Sequence, residues 1–144
     1  MISLFVGFII SDVASSPLEL VMLPESDYPH QKCLDGSQFG YYIRKAPESS
    51  PNNKKWVILL QGGGLCVEPI DCYIRRDSDE GSTKTWEKLW SPGTDGAGDI
   101  TSDDPNGNPN FYDYNHVYLR YCSGIGQLLL DLAQAMIDDL HSRF

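Results

Sequence analysis

Trp56-Val57-Ile58-Leu59-Leu60-Gln61-Gly62-Gly63-Gly64 joins five consecutive apolar residues to three glycines. An unbroken apolar run of this length predicts a strand buried on both faces, as in the middle of a mostly parallel sheet. The glycines end it abruptly. Glycine tolerates positive φ and carries no Cβ, so such a loop can bring backbone N–H groups within bonding distance of a ligand oxygen. That points to an anion or oxyanion site, against the plainer reading of a tight turn out of a strand. A phosphate loop needs a following Gly-Lys-Ser/Thr and a dinucleotide fingerprint needs Gly-x-Gly-x-x-Gly; neither occurs.

Outward from this segment, Phe39-Gly40-Tyr41-Tyr42-Ile43-Arg44 is an aromatic, β-branched run that predicts a strand, preceded by a turn at Cys33-Leu34-Asp35-Gly36-Ser37. Ala46 to Asn53 carries two prolines and reads as a loop. Glu68 to Asn110 reads mainly as loop, with one short helix around Trp86 to Trp90. His116 to Tyr121 predicts another strand, ended by Cys122-Ser123-Gly124. The last segment has helical periodicity: Leu128, Leu132, Met136 and Leu140 recur every four residues, Leu129, Ala133 and Ile137 form the adjacent row, and Asp131, Gln134, Asp138 and His141 take the other face. Strands plus an amphipathic helix that needs a sheet to lie on give an α/β class. A half sheet would leave an unpaired strand edge and expose the stripe of Leu128, Leu132, Met136 and Leu140.

The 144 residues are one domain's worth of chain, with a net charge of −9. Lys and Arg cluster no further than the pairs Arg44-Lys45, Lys54-Lys55 and Arg75-Arg76, which excludes the continuous positive surface a nucleic acid requires. An apolar content of 41% excludes a disordered chain, while 13 Gly and 9 Pro predict long irregular connections. No apolar run reaches the roughly 20 residues of a membrane span. Leu4 to Ile10, followed by the small residues Val13-Ala14-Ser15, reads as a short signal peptide over residues 1–15, although no Lys or Arg precedes it.

Four cysteines in a loop-rich chain fit an oxidising compartment. They lack the Cys-x-x-Cys or paired-His spacing of zinc, so disulfides are expected, with three pairings open. A bridge over the long span from Cys33 to Cys122 would contribute on the order of 4 kcal/mol, more than a short one from Cys66 to Cys72. No Asn-x-Ser/Thr acceptor occurs. No Gly-x-Ser-x-Gly occurs either, and His30, His116 and His141 are the only histidines; His116 and His141 read as structural. Ser102 to Asp113 has the outline of a calcium loop, but Ser102 stands where an Asp belongs and Pro105 and Pro109 stiffen the loop, so a solvated turn is expected there. Asp77, Asp79 and Glu80 read as an exposed acidic loop. No metal or other cofactor is called for.

Several ordered segments together resemble the pectin acetylesterase and Notum family of secreted serine carboxylesterases. These are Cys33-Leu34-Asp35-Gly36-Ser37 with Gly40-Tyr41-Tyr42; Trp56 to Leu60 with Gln61-Gly62-Gly63-Gly64-Leu65-Cys66, Cys72 and Arg75; and Gly98-Asp99-Ile100, Asp104-Pro105, Asn108-Pro109, Phe111-Tyr112, Asn115, Val117 and Arg120-Tyr121-Cys122-Ser123-Gly124. Gly64 resembles the pectin acetylesterase branch, whereas Leu65 stands where tryptophan is usual in that branch.

The resemblance implies that residues 32–144 are the N-terminal part of an α/β-hydrolase-like domain, with Gly63 and Gly64 in its oxyanion hole. It implies the disulfides Cys33–Cys122 and Cys66–Cys72, and an acetylated cell-wall polysaccharide or another acyl ester as substrate of the complete, extracellular protein. Where the family has a glycine- and serine-rich loop, Ile125-Gly126-Gln127 runs directly into the helix. The family's nucleophile turn and later acidic and His residues have no counterpart in these 144 residues. The chain is therefore expected to be an inactive fragment of such an esterase. The competing expectation is a non-catalytic, disulfide-stapled secreted binding or decoy domain.

Overall fold

The computed structural model describes residues 15–93, 99–124 and 126–144. The expected signal peptide falls, apart from Ser15, outside the described residues, as does Gly98. Five strands, β1 (Leu18–Met22), β2 (Gly40–Arg44), β3 (Trp56–Leu60), β4 (Leu89–Trp90) and β5 (Asn115–Leu119), form one sheet in the order β3-β5-β2-β1-β4. Two helices accompany them, α1 (Pro69–Arg75) and α2 (Gly126–Arg143).

Among the described residues only β3 and β5 run parallel, with Val57 beside His116, Ile58 beside Val117 and Leu60 beside Leu119. The other pairings are antiparallel. The strand at Trp56–Leu60 is thus where the apolar run predicts it, but it is an edge strand of a mixed sheet. Among the described residues it pairs with β5 alone, and Ile58 and Leu60 are 41% and 48% exposed. Five apolar residues mark a strand without saying how many neighbours it acquires. The strand buried throughout is β5, which lies between β3 and β2.

Cross-strand partners share a face, which sorts the core into two layers. Tyr41 and Val21 face one side, as do Val117 and Ile58, and α2 lies there with Leu132, Met136 and Leu140 buried. The helical stripe is therefore covered at these positions, not exposed. Asp139, also on α2, is buried and bonded to Tyr41. On the other side Tyr42, Tyr118, Trp86 and Trp90 form an aromatic layer, the rings of Trp90 and Tyr118 being 4.2 Å apart. Trp86 to Trp90 is not a helix: a 3₁₀ turn at Thr83–Thr85 leads into β4, which pairs with β1 and lets both indoles enter this layer.

β1 was not apparent from the sequence; it is held between β2 and β4. α1 also interrupts the stretch read as loop. Pro69 opens its first turn, where a missing N–H costs nothing, and none of its residues is buried. Its fixture is covalent: Cys66 joins Cys72, while Cys33 joins Cys122 across 89 residues. Among the described residues no helix is long and apolar enough to cross a membrane.

Candidate functional site

The glycines leave the carboxyl end of β3, a position where open α/β sheets place ligands. Gln61 fixes the start of the loop. Its N–H donates to Leu119 O at 2.9 Å, and its Oε1 accepts the Tyr121 N–H at 2.9 Å. Cys66 fixes the end, its N–H donating to Gly124 O at 2.9 Å. Between these anchors Gly62, Gly63 and Gly64 are exposed, and among the described residues nothing accepts a hydrogen bond from their N–H groups.

None of the three has a positive φ, so that part of the sequence argument does not apply. The requirement for glycine is steric and falls on Gly63: a Cβ there would lie 2.4 Å from Cδ1 of Tyr121. At Gly64 a Cβ would reach only ordinary contact, 3.5 Å from Nη2 of Arg75. The positive φ in this region belongs to Gly124, opposite Cys66.

Arg75 and Tyr121 both reach the Gly64 carbonyl. Arg75 Nη1 donates to it at 2.7 Å and Tyr121 Oη at 3.2 Å. Glu80 balances the guanidinium at 3.0 Å. Beyond the loop the surface is apolar, with Leu65, Val67, Ile70 and Ile74 each at least 60% exposed. A cavity of about 620 Å³ lies elsewhere, between β3 and α2, lined by Trp56, Ile58, Ile137, Leu140, Phe144 and Lys45 among others.

Among the described residues no hydrogen bond joins a histidine to the glycines. His116 pairs beside Val57, at the opposite end of β3 from the loop, and is fully buried. Its Nε2 donates to Phe111 O at 2.9 Å, which leaves Nδ1 to accept from Arg44 Nη2 at 2.9 Å. Burial, then the Arg44 charge, pushes its pKa down to about 4. With both ring nitrogens engaged, His116 holds Arg44 and is unavailable as a base. His141 is exposed on α2.

The acidic residues of the two loops singled out in the sequence are likewise engaged. Asp79 pairs with Arg120 at 2.8 Å, and Asp77 with Arg76 at 3.2 Å. Asp104 Oδ1 accepts from the Asn106 N–H, and Asp113 accepts from Asn52 and Ser50. Among the described residues no group of three His, Cys, Asp or Glu is placed to hold a metal. The sequence singles out Gly63 and Gly64, whereas Gln61, Arg75 and Tyr121 enter there only as points of resemblance. A long polar or aromatic side chain gives no local sign of which distant carbonyl it will meet.

A mixed sheet with a helix laid on it, and an amide-bearing loop beyond the end of a parallel strand, define a partial α/β-hydrolase-type domain. The comparisons narrow this. The family model described as Pectinacetylesterase matches residues 11–127, and the chain belongs to that family. It is 40% identical over 94 residues to the palmitoleoyl-protein carboxylesterase NOTUM of Schmidtea mediterranea, covering 64% of this chain and 16% of that protein. It is 35% identical over 92 residues to pectin acetylesterase 11 of Arabidopsis thaliana, covering 64% and 22%. The solved structure of the Wnt deacylase Notum from Drosophila superposes with a TM-score of 0.66 at 29% identity, over 86% of this chain and 37% of that one. The chain thus spans well under half the length of these relatives.

Proposed function

We propose that this chain supplies the oxyanion-binding part of an extracellular carboxylic ester hydrolase of pectin acetylesterase type, with Gly63 and Gly64 as its donors. The observation that carries the reading is the set of exposed glycines whose N–H groups have no partner among the described residues, held between two anchored ends beyond a parallel strand. Fixed donors of this kind stabilise the negative oxygen of a tetrahedral intermediate, because they need no reorientation as charge develops. Acyl esters, with acetylated cell-wall polysaccharide first among them, fit the family. Two disulfides in so short a chain support an oxidising, extracellular setting.

These 144 residues do not hydrolyse esters by themselves. Donors without a nucleophile and base lack the group that attacks the carbonyl, and His116 is committed elsewhere. The test has two arms. The purified chain is assayed on 4-nitrophenyl acetate, where serine-dependent turnover overturns the claim of inactivity. Residues 32–124 are also exchanged into pectin acetylesterase 11 of Arabidopsis thaliana. In an active chimera Gly63→Val, forced off by Tyr121, lowers kcat by about a hundredfold; an active chimera indifferent to that change overturns the oxyanion assignment.

A further inference from the structure

We infer that Arg75 is the positioning residue of the glycine loop: by clamping the Gly64 carbonyl, it holds the N–H groups of Gly62, Gly63 and Gly64 in one arrangement open to a ligand. The inference rests on the oxyanion reading for its purpose, but on geometry for its mechanism.

Glycine has more backbone freedom to lose than any other residue, so three in a row make a poor fixed donor array unless something outside the loop holds it. The upstream hold is Gln61, bonded to Leu119 and Tyr121. Downstream, Cys66 is bonded to Gly124, two residues past the last glycine. The Gly64 carbonyl lies between. A peptide unit is planar, so fixing that oxygen fixes the whole Gly64–Leu65 unit. Only three units then lie between this hold and Gln61, and they carry the N–H groups of Gly62, Gly63 and Gly64, so fixing both ends restricts all three.

Arg75 is equipped for this. Its bond to the carbonyl, at 2.7 Å, is charge-assisted and the shorter of the two that oxygen accepts. Glu80 pairs at 3.0 Å with the same guanidinium nitrogen, Nη1, that donates to the carbonyl, and the Cys66–Cys72 bridge brings α1, which buries nothing of its own, back against the loop. α1 is in this view a strut that carries Arg75.

The test uses the isotopically labelled 144-residue chain, read by NMR, with acetate as the probe. In Arg75→Met the Gly64 carbonyl carbon resonance moves upfield, and the amide resonances of residues 62–65 collapse toward averaged positions. Those of β2 and β5 stay where they are. Acetate binding at the loop amides weakens about tenfold or more. Arg75→Lys, which keeps the charge, recovers part of both effects and also reads the clamp should the Met variant fail to fold. Glycine amides and a Gly64 carbonyl that superpose on wild type in both variants overturn the positioning role. Acetate that moves no loop amide in the wild-type chain overturns the oxyanion reading alone, because the carbonyl shift is measured without ligand.

Discussion

The phenol of Tyr41 on β2 donates to Oδ2 of Asp139 on α2 at 2.7 Å, and Arg143 Nε donates to the same oxygen at 2.7 Å. Asp139 is 2% exposed, so this is a buried carboxylate held between a sheet hydroxyl and a cation one helical turn on. Burial first, and then Asp139, pushes the Tyr41 phenol well above its usual range, which keeps it a donor at every physiological pH.

Breaking this link loosens the helix from the sheet. Tyr41→Phe is expected to lower unfolding stability by about 1 kcal/mol, since Arg143 still serves the carboxylate. Asp139→Ala is expected to cost about 3 kcal/mol, because it strands the buried hydroxyl. Urea denaturation of the two variants and their combination measures the coupling. Costs that simply add would show that the two groups do not interact.

Acid should weaken the fold through His116. The unfolded imidazole takes a proton near pH 6.5 and the folded one only near pH 4, because burial and Arg44 oppose its charge. Between those values the unfolded chain binds more protons, so stability is full above about pH 6.5, falls as pH drops, and levels off below about pH 4. The loss attributable to this group is about 3 kcal/mol. His116→Gln should remove most of the slope in that window, as read from urea midpoints at successive pH values. An unchanged slope would assign it to other groups.

The two disulfides should differ in what they hold. Replacing Cys33 and Cys122 with alanine releases a crosslink spanning 89 residues and is expected to cost about 4 kcal/mol. The same change at Cys66 and Cys72, six residues apart, is expected to cost about 2 kcal/mol. Its larger effect should be local, a rise in amide hydrogen exchange through α1, which has no buried residue to keep it in place. Equal global costs would contradict the loop-length argument.

Two elements show how much the sequence could give. Trp56–Leu60 and the helix through Leu132, Met136 and Leu140 are both where their patterns place them, since apolar runs and four-residue spacing act locally. β1 and α1 were not apparent. β1 is a short strand completed by partners far along the chain, and α1 depends on a leading proline and a disulfide more than on an apolar face. The glycines were legible as a candidate site, but the reason for Gly63 was not, because it is the ring of Tyr121.

The sequence by itself determined the family, the net charge, the principal strands and helix, and the loop in which to look for chemistry. Only the tertiary structure decided that β3 is an edge strand, that Asp139 is buried beneath α2, that His116 serves Arg44, and that Arg75 meets Gly64. The division has one physical cause. Periodicity and turn chemistry are set by neighbours within a few residues, whereas an edge, a buried charge and a held carbonyl are set by partners up to about a hundred residues away, at positions that local sequence does not encode.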